Sequence, residues 1–478
     1  MSIELITKLI LCAVLSIVVA ARFYSQEKKE NLLKNPIDES ARYANIVPVG
    51  ALPLIILMLF VFLLMKYGMS FSIEVICSWC FSLFIQISMF YIVLLLIMPW
   101  FRKYFSARAC AVLWMLPNFA YIFSYAPMQS KVPLVVVPVP SKVVKVGLII
   151  WGIGFASVFI FYIVQHLSFR YRILKNATLV TDGIICEVWD KEKIYANVYQ
   201  KYPIYISPET KTPLSIGIFK ATTKVVLPQR EYTEEELHFI FHHEIIHIER
   251  GDSNTKFYMM FCTAMCWFNP LMWIAMRNSA DDLELSCDET VLLKEDDEAR
   301  KKYAELILKT AGHHQGFTTC LSATATALQY RLNNVMKKRK LQAGGMLIGI
   351  MLFGFMFFSG YVAFAYENNT GAELVYNCEL ESVYLYDEAE GYWEECIDQS
   401  ALKEYLGNLE ISKVTGSHTY SSDNLKLSCI FKDGDEVFII LVTDYGVKYT
   451  NFIDTRYERI YYLQTEIDWN YLKTLFEK

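Results

Sequence analysis

Six apolar runs, near residues 3–21, 47–65, 76–99, 108–126, 146–165 and 343–365, constrain this chain more than anything else in it. Each approaches the ~20 residues with which an α-helix crosses a bilayer, where backbone polar groups must be satisfied inside the segment itself. Composition agrees: 54% of the 478 residues are hydrophobic, above the usual share for a soluble domain. A multi-pass α-helical membrane protein is expected, with the lipid bilayer as its first partner. The net charge of −5 is small and argues neither way about nucleic acid; no direct nucleic-acid binding is expected.

Lysine and arginine orient the spans. Arg22, Lys28, Lys29, Lys34 and Arg42 follow the first run, Arg102, Lys103 and Arg108 follow the third, and Lys337-Lys338-Arg339-Lys340 precede the last. All fall on one side, the cytoplasmic side, if the N-terminus is outside, and the residues beyond Ala365 are then outside too. The first run reads as an N-out anchor rather than a signal peptide, because Glu4 precedes it and the positive charges follow it.

Between the fifth and sixth runs stands Phe241-His242-His243-Glu244-Ile245-Ile246-His247, which contains H-E-x-x-H. Residues four apart share a helix face, so His243 and His247 can hold one Zn²⁺ while Glu244 acts as general base. The helix is punctuated accordingly, with a capping box from Thr233 to Glu236 and Gly251 at the C-cap. His242 points about 100° away from His243 and is not expected to be a ligand. A third ligand is needed. Glu284 and Asp288, four apart in Asp281–Glu289, put two carboxylates on one face. Glu284 is assigned as the ligand, with Asp288 hydrogen-bonding a ligand imidazole or approaching the metal itself. Taken alone, such an acidic run is usually a solvated helix face. Cys287 is read as a small apolar packing residue. A seventh uncharged run, Phe257–Met276, would as a span put Glu284 opposite the histidines. It is therefore read as a buried or re-entrant hairpin broken at Asn269-Pro270.

His243-Glu244-x-x-His247 followed by Glu284-x-x-x-Asp288 resembles the regulatory membrane metallopeptidases of the BlaR/MecR type. Thr212–Phe219 leading to Val226-Leu227-Pro228 resembles that family's strand region before the zinc helix, and Trp267-Phe268-Asn269-Pro270-Leu271 resembles its element between the ligands. The likeness covers roughly residues 85–340. It implies a cytoplasmic protease that inactivates a DNA-binding transcriptional repressor after an outside signal. In that family activation can involve self-cleavage in the neighbourhood of residues 315–333; by its own residues this stretch reads rather as an ordinary loop leading to a juxtamembrane helix.

The expected organisation is an additional two-helix membrane hairpin at 1–70, three transmembrane helices at 71–167, and a cytoplasmic gluzincin-like α+β zinc metalloprotease domain at 168–342. A last transmembrane helix at 343–366 and a small extracytoplasmic α+β sensor-like module at 367–478 follow. The protease domain should open with β-type runs at Ile184–Trp189, Val198–Ile206, Ile216–Phe219 and Lys224–Leu227. Ile216-Gly217-Ile218 is the candidate edge strand for pairing with an extended substrate, Gly217 allowing another backbone to approach.

In the last 112 residues, Leu425–Phe431 and Val437–Val442 flank a hairpin turn at Lys432–Asp435, and a second turn is expected at Asp444–Gly446. Ser400-x-x-Lys403 and Ser422-Asp423-Asn424 match penicillin-binding motifs, but they stand about twenty residues apart with no K-T-G after them. Ser400 is read as a helix cap, and the module as lacking a penicillin-binding domain. Its ligand is unknown, and the pairing of Cys378, Cys396 and Cys429 is undetermined, as is the role of Cys77-x-x-Cys80. The chain reads as a membrane zinc endopeptidase coupling an outside signal to cleavage of a cytoplasmic regulator. A membrane quality-control protease and a non-enzymatic zinc-containing receptor are the alternatives, and homodimer formation is left open.

Overall fold

The computed structural model describes residues 3–32, 43, 49–67, 69–123, 135–138, 141–310, 325–337, 342, 344–359, 362–375, 379–387, 391–393, 395–415, 427–433, 436–443, 446–451, 458–463 and 466–477. They form two compact units, one of residues 1–57, 86–120 and 151–357, the other of 58–85, 121–150 and 358–478.

The chain begins with helices α1 (Ile3–Leu32), α2 (Leu52–Tyr67), α3 (Met69–Tyr104), α4 (Ala107–Met115) and α5 (Ala120–Phe123), then strand β1 (Val135–Pro138) and helix α6 (Ser141–Lys175). Among the described residues three helices are long and apolar enough to cross a membrane: Ile6–Glu30, Cys80–Tyr104 and Val146–Lys175. On α6, Ile149, Ile153, Phe161 and Val164 are all exposed, as on a helix solvated by lipid.

The run at 108–126 is not one continuous α-helix over its described residues. Its nine-residue helix α4 measures about 14 Å, half a bilayer core, and Pro117 opens a 3-10 turn directly after it. Every side chain from Ala107 to Phe119 is buried. Hydropathy cannot distinguish a lipid-facing run from one enclosed by protein, and α4 is enclosed, packed along α10. The runs at 47–65 and 343–365 also yield short apolar helices, Leu52–Phe62 and Gly345–Phe357. After Phe357 the chain enters a strand at Val362 rather than continuing as helix.

The segment after α6 runs β2 (Thr178–Leu179), α7 (Ile184–Tyr195), β3 (Ile204–Ser207), β4 (Leu214–Ile216), β5 (Lys224–Pro228), α8 (Glu234–Arg250), α9 (Asp252–Met265), α10 (Pro270–Val291), α11 (Asp297–Thr310), α12 (Ala325–Val335) and α13 (Gly345–Phe357). Ile184–Trp189 is therefore helix, not strand. Val188, Trp189 and Glu192 are its buried positions, a helical period that the short apolar run concealed. Trp189 packs edge-on against Phe241 of α8, in a core with Val225, Leu227 and Ile245.

The sheet order is β2-β3-β5-β4, so β4 lies at an edge, antiparallel to β5 with Ser215 opposite Val225. The strand ends at Ile216, and Gly217 and Ile218 lie beyond it. Gly217 has φ 152, and a Cβ there would meet the Thr223 Cα at 2.6 Å. The close approach that requires glycine is thus to this chain's own backbone.

Helix α8 starts and stops as its residues dictate. Thr233 Oγ1 accepts from the Glu236 N–H at 3.2 Å, and Gly251 ends the helix at φ 69, ψ 39. The apolar run at 257–276 breaks at Cys266–Asn269, where the Asn269 side chain caps α10 and Pro270 opens it. Tyr258 to Met265 are all buried on the first arm, while Phe268 at the turn and Ile274 on the second arm are exposed.

The second unit is built on a nine-stranded sheet, β1-β6-β10-β14-β13-β12-β11-β7-β8. Its strands are β6 (Val362–Thr370), β7 (Glu379–Asp387), β8 (Gly391–Trp393), β10 (Glu410–Thr415), β11 (Leu427–Asp433), β12 (Glu436–Val442), β13 (Gly446–Asn451) and β14 (Glu458–Leu463), while β9 (Glu395–Cys396) pairs with β15 (Phe476–Glu477). Helices α14 (Ala372–Val375), α15 (Gln399–Asn408) and α16 (Trp469–Thr474) complete it. Leu402 and Leu406 of α15 join Leu427, Phe431 and Ile440 in the core. β1, from between the apolar runs, pairs in parallel with β6, a contact of distant segments that local pattern does not carry. The hairpins β11–β12 and β12–β13 form, their central turn residues 434–435 and 444–445 lying outside the described residues, as do Cys378 and Ser422-Asp423-Asn424. The cap of α15 is Asp398, whose carboxylate accepts from the Ala401 N–H at 2.9 Å. Ser400 stands two residues too far in for that role. Of the Cys77-x-x-Cys80 pair, Cys77's side chain lies outside the described residues and Cys80 is buried.

Because Gly251 sits in the left-handed region, Gly251→Ala should cost about 1–2 kcal/mol. Thermal unfolding in detergent would measure this, and an unchanged midpoint would contradict it.

Candidate metal centre

Helix periodicity places His243 and His247 one turn apart on α8, and α10 crosses beside them. The two Nε2 atoms stand 3.0 Å apart, and Glu284 Oε2 lies 3.7 Å from the first and 3.6 Å from the second. All three side chains are buried, and Glu284 Oε2 has no hydrogen-bond partner. Four tetrahedral ligands at about 2.1 Å from a zinc ion stand about 3.4 Å from one another. The triangle of two imidazole nitrogens and one carboxylate oxygen fits that spacing.

Cys287 offers a second donor set: its sulfur lies with a nitrogen of each histidine within 4.8 Å. Its Sγ, however, donates to the His243 carbonyl oxygen at 3.3 Å. That thiol is a weak donor, while Glu284 Oε2 accepts no hydrogen bond and has Arg331 Nη1 3.6 Å away. Both Glu284 and Cys287 stand within reach of the histidine pair as a third member.

The partners behind these atoms orient them. Asp252 Oδ2 lies 2.6 Å from His247 Nδ1. A carboxylate only accepts, so a ring proton sits on Nδ1 and the ring is turned with Nε2 toward His243 and Glu284. His243 Nδ1 lies 2.9 Å from the Tyr303 hydroxyl, which donates to Asp288 Oδ1 at 2.8 Å. Asp288 was expected beside an imidazole or the metal. It is instead 3.6 Å from His243 Nδ1, with Tyr303 relaying between them, and it receives Arg331 of α12 through two bonds of 2.8 Å. The first part of the 315–333 stretch lies outside the described residues; the rest is the helix that delivers Arg331.

Glu284 Oε1 accepts from buried Lys256 at 2.9 Å. Burial works to raise the Glu284 carboxyl, but Lys256 and the two histidines outweigh it and hold the group well below the usual carboxylate range. Glu244 is buried, and its Oε2 accepts from the Ser215 hydroxyl of β4 at 2.5 Å. The edge strand therefore touches the candidate base directly. Two residues before Glu284, Asp282 is gripped by Arg102 of α3 at 2.9–3.3 Å and by the Trp114 indole at 2.8 Å.

His242 turns away from the centre, as its angle on the helix predicts. With His238 it brackets Glu192 of α7, at 3.1 Å and 2.5 Å. Burial would raise Glu192, but hydrogen bonds from both histidines prevail and hold it at about 2. The same bond from Glu192 raises His238.

Of the residues singled out in the sequence, His243, His247 and Glu284 come together with Cys287 within reach of both histidines, Glu244 meets Ser215 of β4, Asp288 reaches His243 through Tyr303, and Ile216 flanks Ser215. Sequence reading missed Ser215, Asp252, Lys256, Tyr303 and Arg331. Asp252 had a local signal, five residues after His247; the others arrive from distant elements.

Residues 129–335 match the BlaR1 peptidase M56 family. In this segment the chain is a BlaR/MecR-type M56 family member. It is 26% identical over 184 residues to the regulatory protein BlaR1 of Bacillus licheniformis, an alignment covering 38% of this chain and 30% of that one. It is also 26% identical over 177 residues to the methicillin resistance mecR1 proteins of Staphylococcus aureus and Staphylococcus epidermidis, covering 35% of this chain and 29% of theirs. The chain thus spans about a third of the length of these relatives. The M56 segment contains the whole His243, Glu244, His247, Glu284 and Tyr303 cluster.

Tyr303→Phe removes the relay between His243 and Asp288 and should weaken metal affinity about 10–100-fold, measured by competition with a chelating dye. Unchanged affinity would deny the hydroxyl an orienting role. The His238–Glu192 pair has a definite pH signature. A raised His238 contributes fully below its ordinary 6.5 and loses that contribution as pH climbs through its folded value. Glu192 contributes above its ordinary 4.5 and loses it only toward about 2. Unfolding temperatures of His238→Gln and wild type should therefore converge as pH rises from 6 to 9; parallel curves would refute the assignment.

Proposed function

We propose that this chain is an integral-membrane zinc endopeptidase of the gluzincin-like HExxH type that cleaves a cytoplasmic regulator in response to an extracytoplasmic signal. The observation that carries the reading is the buried triangle of His243, His247 and Glu284 with Glu244 beside it, held by the edge strand. The regulatory part rests on the printed names of the BlaR1 and mecR1 relatives and on the basic residues flanking the apolar runs. Those residues place the M56 segment in the cytoplasm, with the N-terminus and the C-terminal module outside. A DNA-binding repressor is the proposed class of substrate.

In this reading His243, His247 and Glu284 hold the ion. A zinc ion bound there acts as a Lewis acid toward the scissile carbonyl and brings water toward a pKa of ~7. Glu244 accepts the proton of the attacking water and passes it to the leaving amine. Ser215 donates to Glu244 Oε2 and so fixes the carboxylate's orientation. Asp252 and Tyr303 keep both imidazole lone pairs on the centre. Lys256 occupies Glu284 Oε1, leaving Oε2 as the ligand atom. Burial excludes bulk water and strengthens each of these interactions. The edge of the sheet at Leu214–Ile216 is the place where an extended substrate backbone pairs.

Glu244→Gln separates holding metal from using it. Purified in detergent, it should keep about one zinc per chain, as wild type does, and lose cleavage of itself and of a co-expressed repressor by at least ~100-fold. Cleavage at the wild-type rate would remove Glu244 from the mechanism, and a wild-type protein free of zinc would end the zinc reading.

A further inference from the structure

Helix α1 reads from the sequence as a membrane anchor, yet its cytoplasmic end is built into the zinc helix. Glu30, on its last turn, has a side chain only 8% exposed and receives Arg250 of α8 through two bonds, Nε to Oε1 at 3.1 Å and an Nη to Oε2 at 2.7 Å. This is the planar fork with which arginine grips a carboxylate. Arg108 of α4 pairs with the same carboxylate at 2.5 Å. The remaining donors of Arg250 reach Ser286 (its carbonyl at 3.3 Å and hydroxyl at 3.0 Å) and the Thr290 hydroxyl at 2.7 Å, all on α10. Arg250 is thus one staple through α1, α8 and α10, the last two carrying every candidate metal ligand. The next residues are Gly251, the left-handed corner, and Asp252, which fixes the His247 ring.

We propose that Glu30 is a positioning residue of the metal centre: through Arg250 it holds the α8–α9 corner from which Asp252 orients His247. Helix α1 in turn lies along α13 with little slack. A Cβ on Gly349 would stand 3.2 Å from the Ala20 Cβ, and one on Gly345 would stand 3.3 Å from the Ala20 carbonyl oxygen. Sliding of α1 against α13 is therefore passed to the corner, which gives this helix pair a way to tune the site. Only the last link, from corner to catalysis, rests on the zinc-peptidase reading.

The test uses the full chain in detergent as wild type, Glu30→Gln, and Glu30→Gln with Arg108→Gln. Removing Glu30 alone leaves two buried guanidinium groups facing each other, which by itself threatens the fold. The double variant removes that repulsion while still releasing Arg250. Two readouts are taken: hydrogen exchange of residues 248–256 in metal-free protein, and cobalt(II) titration followed by visible absorption. In both variants exchange at the corner should rise and cobalt affinity should fall about tenfold or more, in the double variant at an unchanged unfolding temperature. If Glu30→Gln does not fold, the double variant decides alone. A double variant with wild-type exchange and wild-type cobalt binding overturns the proposal and leaves Glu30 a counter-charge only. A wild type that binds no cobalt defeats the zinc reading instead, and corner exchange still decides the link to α1.

Discussion

Two imidazole nitrogens and a carboxylate oxygen, buried within 3.0–3.7 Å of one another, are the constraint around which the first unit is organised. Burial removes the water that would otherwise solvate so dense a cluster of polar atoms, so each must be answered from within the protein. The surrounding protein answers with charge. Lys256 takes the far oxygen of Glu284, Arg331 takes Asp288, and Arg102 takes Asp282. Each cation comes from a different helix, so the acidic face of α10 can be assembled only when α3, α9 and α12 are in place.

That arrangement explains why elements of opposite character are interleaved here. The apolar helices α3 and α1 end in charged residues, Arg102 and Glu30, that reach the helices of the site rather than solvent. The short helix α4 contributes Arg108 and Trp114 to the same network. A membrane-facing bundle and a catalytic domain would ordinarily be separate layers; at this junction they share ion pairs. The chemistry proposed for the centre then depends on residues in segments that a reader of the motif alone would set aside as anchors.

Much of the site could be read in advance because it is local. The spacing of His243 and His247, the cap at Thr233, the stop at Gly251 and the break at Asn269-Pro270 are properties of neighbouring residues, and each stands where helix geometry puts it. The pairing of Glu284 with the histidines required one further step, that both helices lie on the same side of the bilayer. Errors arose where local pattern is ambiguous. Ile184–Trp189 is too short a run to distinguish strand from helix. At α15, Asp398 outcompeted Ser400 for the cap because it stands at the turn where the first N–H groups are left unpaired.

The sequence by itself determined the chemistry available: a helix with two imidazoles one turn apart, a carboxylate between them, a carboxylate four residues before another, and a chain too apolar for water. Tertiary structure alone decided which groups serve that chemistry. Ser215 reaches Glu244 across 29 residues, Tyr303 reaches His243 across 60, and Glu30 reaches Arg250 across 220. Helical periodicity extends its influence over a few turns, whereas contacts at these separations depend on how buried faces pack and on which buried charge must find a partner. No local pattern encodes that outcome.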